Sequence, residues 1–271
     1  MNEHAEHRLP TVAASSYLNT APLIWSFIHG SRRGRAEVLT DKAPARCAEM
    51  LAHSEVNAAL VPIIEYQRLT DIVVVPDVCV GSRSAARSVV LATRLNNLKK
   101  VRRVALDNSS RTSVALVKII FQEFLGFEPE WTSAPPDLKS MLAHAEAALI
   151  IGDPAMKIST PQFRVFDLAT LWHEFTGFGL VFAMWMARAE DAVRICQLDF
   201  AGARDEGLAH LQEIATSYEQ PVGLTPSEIK QYLTQNIAFS IDDEMLKGLA
   251  LYFEMCGKYK LIDRVKPLDF I

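Results

Sequence analysis

Val101-Arg102-Arg103-Val104-Ala105-Leu106-Asp107-Asn108-Ser109-Ser110-Arg111-Thr112-Ser113 runs from an apolar stretch through a polar turn into a long helical pattern. In that pattern Val117, Ile120, Phe121, Phe124 and Leu125 fall on one face, at a spacing close to the 3.6-residue period. The segment therefore predicts a strand over Val101–Asp107 and a helix over Thr112–Leu125, stopped by Gly126. Toward the C-terminus follow an extended piece at Trp131–Ser133, a helix over Asp137–Glu146 and a buried strand over Ala147–Ile151 that ends in Gly152-Asp153-Pro154. Toward the N-terminus the same alternation holds. Leu9–Ala14 reads as a strand, Tyr17–Pro22 as a turn and Leu23–Ile28 as a short helix. Glu37–Thr40 is a second strand, Ala43–His53 a helix with Pro44 at its start, and Ala58–Val61 a third strand stopped by Pro62. Ile72–Val80 is β-branched and extended.

Two α/β blocks result, joined by extended crossovers near Ser88–Arg94 and Gly179–Arg188. This pattern predicts an α/β fold of the periplasmic-binding-protein type II kind, with two lobes and a cleft between them. The C-terminal third is helical: Ala203–Tyr218 before Pro221, a capping box at Thr225-Pro226-Ser227-Glu228, and a last helix opening at Ser240 and running through Met255. These helices are expected to close a lobe. The expected division is 9–90 plus 184–271 for one lobe and 91–183 for the other.

Composition narrows the function. With 271 residues, 49% hydrophobic and 22% charged, the chain is long enough for two cores and is neither disordered nor fibrous. Its 28 Lys and Arg against 32 Asp and Glu give a net charge of −4, which argues against a nucleic-acid or anionic-membrane surface. The charge-free apolar stretch Phe175–Ala187 has 13 residues, short of the roughly 20 that span a bilayer. Met1–Pro10 is polar with no apolar run behind it, so no secretory signal is expected and the protein is read as cytoplasmic. Cys47, Cys79, Cys196 and Cys256 form no metal or disulfide spacing and are expected to be reduced thiols.

No Gly-x-Gly-x-x-Gly after a strand, Walker loop, His-Glu-x-x-His or Gly-x-Ser-x-Gly is present, so nucleotide, zinc-peptidase and hydrolase chemistries lack their signatures. The candidate features lie at strand ends. Asp107–Ser113 places hydroxyls, Arg111 and unpaired helix N–H groups together, a cradle for a carboxylate or phosphate; ordinary N-capping is the competing reading. Ser15–Pro22 offers Asn19 as donor and acceptor at the end of the first strand. Gly81–Val90 carries Arg83, Ser84, Arg87 and Ser88, which face either the cleft or solvent. Gly152-Asp153-Pro154-Ala155 is a strand-end turn whose Asp either forms the turn or acts in the site, and His173 with Glu174 is a candidate acid or base.

Taken in order, Tyr17-Leu18-Asn19-Thr20-Ala21-Pro22-Leu23, Ser88-Val89-Val90-Leu91, Leu106–Ser113, Leu149-Ile150-Ile151-Gly152-Asp153-Pro154-Ala155 and Leu171-Trp172-His173-Glu174-Phe175-Thr176-Gly177 resemble the chorismate dehydratase family of the futalosine route to menaquinone. The resemblance covers about residues 9–260 and leaves out the N-terminal segment. It implies an enzyme that converts chorismate to 3-[(1-carboxyvinyl)oxy]benzoate and water, a carbon–oxygen lyase that needs neither cofactor nor metal. Substrate binding is then expected from Tyr17, Ser84, Arg87, Ser88, Ser109, Ser110, Arg111, Thr112, Ser113 and Gly152, and catalysis from Asn19, Asp153 and His173. The resemblance suggests that the substrate's own enolpyruvyl carboxylate takes the proton while Asn19 orients the reacting groups; Asp153 and His173 remain protein candidates for base or acid. The partner expected is a small dicarboxylate, with the oligomeric state open. Two alternatives share the fold: a cytoplasmic small-anion-binding protein, and the sister enzyme that makes 1,4-dihydroxy-6-naphthoate.

Overall fold

The computed structural model describes residues 9–158 and 161–271, so the N-terminal segment read above as non-secretory lies, up to residue 8, outside the described residues. Ten strands form in chain order: β1 (Thr11–Ser15), β2 (Glu37–Asp41), β3 (Ala58–Pro62), β4 (Ile72–Ser82), β5 (Val89–Thr93), β6 (Arg103–Asp107), β7 (Glu130–Ala134), β8 (Ala147–Ile151), β9 (Arg164–Asp167) and β10 (Leu180–Arg188). They pair into two five-stranded sheets, ordered β2-β1-β3-β10-β4 and β7-β6-β8-β5-β9. In each sheet four strands run in one direction and one runs against them: β10 is antiparallel to its neighbours β3 and β4, and β5 to its neighbours β8 and β9. The chain leaves the first sheet after Ser82, enters the second at Val89 and returns at Leu180.

Strand composition follows position. The interior strands β3, β5 and β8 are buried along their whole length and read as unbroken apolar runs. The edge strands β2 and β7 are half-exposed and carry Glu, Asp, Thr and Ser. At its outer side β4 receives the end of the chain: the Val74 N–H donates to Asp269 O at 2.8 Å and the Ile271 N–H to Val74 O at 3.1 Å.

The helices depart from the sequence pattern in three places. The helix after β6 is regular over Thr112–Ile119 and loosens into a π-helical turn over Ile120–Phe124, before the left-handed Gly126. In place of one helix from Ala203 there are two, Phe200–Ala209 and Leu211–Val222, divided at His210. The second includes Pro221, which leaves one N–H out of the ladder in the last turn, and it ends one residue after Pro221, before the left-handed Gly223. The last helix is Asp243–Lys258, capped two residues later than Ser240, because the Asp242 carboxylate accepts the Met245 N–H at 2.9 Å. The capping box is as read: Thr225 and Glu228 bond reciprocally at the head of Pro226–Gln231.

The last helix is not confined to the first sheet. The Tyr252 hydroxyl donates to Thr112 O at 3.0 Å, and its ring meets the edge of Trp172 at a centroid distance of 6.4 Å. No helix among the described residues is long and apolar enough to cross a membrane.

Candidate active site

Strand ends from both sheets line one narrow cavity of about 60 Å³. Ser15, Asn19 and Thr20 come from the end of β1 and the turn Leu18–Thr20; Ser88, Ser110, Thr112, Ser113 and Gly152 come from the entry to β5 and the ends of β6 and β8. Leu60, Val80, Phe182 and Ile237 make apolar walls. None of the residues lining the cavity carries a charged side chain. An anion held here would rest on hydroxyls, an amide and helix N–H groups, in an apolar setting where such donors act strongly.

The Asp107–Ser113 turn is built around a buried carboxylate. Asp107 is fully buried and accepts the Ser109 N–H at 2.9 Å, the Ser109 hydroxyl at 2.6 Å and the Ile151 N–H at 3.2 Å. Burial raises its pKa, and these bonds oppose the rise. Ser109 therefore serves the turn and is not among the cavity-lining residues, whereas Ser110 and Ser113 are. Thr112 lines the cavity too, but its hydroxyl is committed: it donates to Phe182 O at 3.0 Å and accepts the Ile64 N–H at 3.4 Å.

Arg111 lies away from the cavity wall. Its guanidinium pairs with Glu65 at 2.8 Å and with Glu49 at 3.0 Å, both from helices that pack on the first sheet. Glu65 is only 2% exposed and also pairs with Arg68 at 2.8 Å. In this structure Arg111, read from the sequence as a substrate ligand, ties the two sheets together, with its planar fork matched by the carboxylates of Glu49 and Glu65.

A second tie lies on the opposite wall. Asp153 Oδ1 accepts the Leu18 N–H at 3.0 Å, and Gly152, at a φ of +66°, lies under the Tyr17 ring. A Cβ at residue 152 would stand 2.5 Å from that ring, so only glycine permits the approach. Burial pushes the Tyr17 phenol up to about 12, against the lowering effect of Ser109. Burial likewise pushes the Asp153 carboxyl up to about 6, against the Leu18 N–H and Lys157.

The remaining sequence candidates are placed as follows. The Ser84 and Arg87 side chains are exposed and outside the cavity wall. Arg87 contributes its backbone instead: it sits at a φ of +59° with its N–H on the Asp167 carboxylate, and this bend turns the next residue, Ser88, inward. His173 is exposed on the last turn of Leu168–Thr176, with Nδ1 3.4 Å from Phe178 O, and the structure does not bring it to the cavity. Its helix turns Trp172 inward, which leaves the neighbouring position facing solvent.

Sequence reasoning passed over three groups. Glu65 had no signal beyond a lone acid after an apolar run. Tyr218 and Tyr232 sit in helices read only as lobe closure, yet the Tyr218 hydroxyl donates to Ser16 O at 3.2 Å and the Tyr232 hydroxyl to Ser88 Oγ at 2.8 Å.

Comparison with known proteins bears on the family and the fold. The sequence profile of the menaquinone biosynthesis family matches residues 10–258. A chorismate dehydratase of Thermus thermophilus is 30% identical over 260 residues, covering 89% of this chain and 93% of that protein. Among solved structures, a protein from Archaeoglobus fulgidus superposes with a TM-score of 0.77 at 17% identity, covering 96% of this chain and all of that one (100%). The periplasmic aliphatic sulphonate binding protein SsuA from Escherichia coli superposes with a TM-score of 0.63 at 13% identity, covering 97% and 94% of the two chains. These likenesses place the fold among periplasmic-binding-protein-like architectures.

Proposed function

The chain belongs to the menaquinone biosynthesis family, and from that premise we propose that it is a chorismate dehydratase, converting chorismate to 3-[(1-carboxyvinyl)oxy]benzoate and water. The observation that carries the reading is the cavity wall: hydroxyls and an amide from both sheets, apolar surface between them and no charged side chain.

Loss of the proton from the ring carbon that bears the enolpyruvyl ether leaves an anion delocalised through a ring double bond into the ring carboxylate. Departure of the neighbouring hydroxide then makes the ring aromatic. The developing charge needs donors fixed in advance, and Ser110, Ser113 and the first N–H groups of Thr112–Ile119 supply them. A wall without a carboxylate or imidazole supports the substrate's own enolpyruvyl carboxylate as the base, with Asn19 orienting it. Asp153, one residue beyond Gly152 and able to hold a proton up to about pH 6, is the protein group best suited to assist hydroxide departure.

The lobes proposed are 9–90 with 184–271 and 91–183, which puts the switch points inside β5 and β10. A cavity of about 60 Å³ holds a few waters and not a ten-carbon diacid, so entry requires the lobes to part and their ties at Asp153 and Arg111 to yield. The protein is read as cytoplasmic, with a small dicarboxylate as partner and no cofactor. Incubation with chorismate, followed by mass spectrometry, tests the proposal: the expected product has lost one water. Chorismate recovered unchanged would overturn the dehydratase reading and leave the binding protein and the sister enzyme of the same fold.

A further inference from the structure

The Tyr232 phenol is the buried polar group that the proposed chemistry leaves unused. Tyr232 is 1% exposed and stands at the start of a π-helical turn, Tyr232–Asn236, a local widening of the helix that often marks a site under functional constraint. Its hydroxyl donates to Ser88 Oγ at 2.8 Å, across 144 residues of sequence. The same turn sends Asn236 Nδ2 to Ala85 O at 2.9 Å, so two side chains of one turn fasten the segment that leads into β5. Ser88 is itself 1% exposed, its carbonyl accepts the Gly152 N–H at 2.7 Å and the residue lines the cavity.

We propose that Tyr232 is a positioning residue that fixes the polarity of Ser88, so that Ser88 presents a proton, and not a lone pair, to a carboxylate in the cavity. A serine hydroxyl has one proton and two acceptor sites. The phenol proton fills an acceptor site at 2.8 Å, and the serine's own proton is left on Ala86 O at 3.3 Å, a long bond that yields to a better acceptor. A ligand carboxylate is that acceptor, since a charge-assisted bond is shorter and stronger than a neutral one. Burial raises the Tyr232 pKa and outweighs the lowering effects of Ser88 and Asn19, so the proton stays on the tyrosine. A ligand that brings a proton donor to Ser88 finds one of its two acceptor sites already filled, which biases the hydroxyl toward anionic oxygen.

The proposal takes its ligand from the functional reading above, and its test separates the two. Tyr232→Phe keeps the ring and removes only the hydroxyl. Without substrate, the variant is expected to lower the thermal midpoint by about 2 °C in the wild-type background and not in a Ser88→Ala background; equal lowering in both overturns the proposal. With chorismate, KM is expected to rise roughly ten-fold with little change in kcat, and to rise no further when Tyr232→Phe is added to Ser88→Ala. An unchanged KM, or effects that multiply, overturns it. If the wild-type protein does not convert chorismate, the functional reading falls and calorimetric binding of benzoate replaces turnover. Affinity lost in Tyr232→Phe but not in the Ser88→Ala background then upholds the proposal; a wild type that binds no benzoate, or variants that bind it equally, overturn it.

Discussion

Replacing Asp153 with asparagine should make the protein more stable and less active. The carboxyl has an ordinary value near 3.8 and is pushed up to about 6 in the fold, mainly by burial. The unfolded chain therefore releases this proton before the native one does, and between those two pH values the native state holds the extra proton. Stability falls as pH rises through that window, and a displacement of roughly two pH units costs about 3 kcal/mol once the group is ionised. Asparagine keeps an oxygen for the Leu18 N–H, bonded to Asp153 at 3.0 Å, and carries no charge. Its amide protons need partners of their own, so the gain at pH 8 is expected at about 1 to 3 kcal/mol, shrinking to about 1 kcal/mol or less near pH 4.5, where the wild-type carboxyl is largely protonated. Urea unfolding of both proteins at the two pH values reads this directly. Turnover should fall about hundred-fold or more, the cost of removing a general acid. A variant that is less stable at pH 8, or whose advantage is the same at both pH values, would refute the reasoning about burial.

The other ties give separate outcomes. Arg111→Met leaves Glu65, 2% exposed, with Arg68 alone, and is expected to cost about 1 to 3 kcal/mol and to enlarge the radius of gyration in small-angle scattering; an unchanged radius would deny the tie a role in closure. Asn19→Ala should keep its thermal midpoint, since the residue lies in a partly buried turn, while chorismate turnover falls about 100-fold; loss of both together would make Asn19 a folding residue. Ser110→Ala and Ser113→Ala should each lower kcat/KM by about 1.5 to 3 kcal/mol in transition-state energy, and unchanged efficiency in both would remove the helix start from the site. Gly152→Ala, with its Cβ 2.5 Å from the Tyr17 ring, should open the cleft and be visible as faster proteolysis between the sheets; a closed, fully active variant would count against the close fit.

Local order was legible where one short segment contained its own explanation. The strand-turn-helix at Val101–Leu125 and the capping box at Thr225 carry their period, turn and cap within a few residues, and the structure has them in place. Asn19 and the serines at 110 and 113 were picked out because a parallel-strand end is where an α/β fold opens its cleft, and all three line the cavity. What a side chain touches across the chain was not legible. Ser109 and Arg111 sit in the same motif as Ser110 and Ser113, yet one bonds Asp107 and the other reaches Glu49 and Glu65, over 62 and 46 residues. Periodicity tells which face of a helix is buried and not which partner buries it, so nothing in the pattern brought the Tyr232 hydroxyl to Ser88.

The order β2-β1-β3-β10-β4 has a consequence for how the chain is made. The second sheet is assembled from one uninterrupted stretch, β5 to β9, and every partner it needs has left the ribosome once residue 167 is out. The first sheet cannot finish on that schedule, because β3 and β4 are separated by β10 and the outer side of β4 is covered by the last residues of all. Eleven residues of β-branched strand therefore wait, unpaired, through the synthesis of a whole neighbouring lobe. The part of the protein translated first is the part completed last, and β4 is the stretch a chaperone would be called on to shield in the interval.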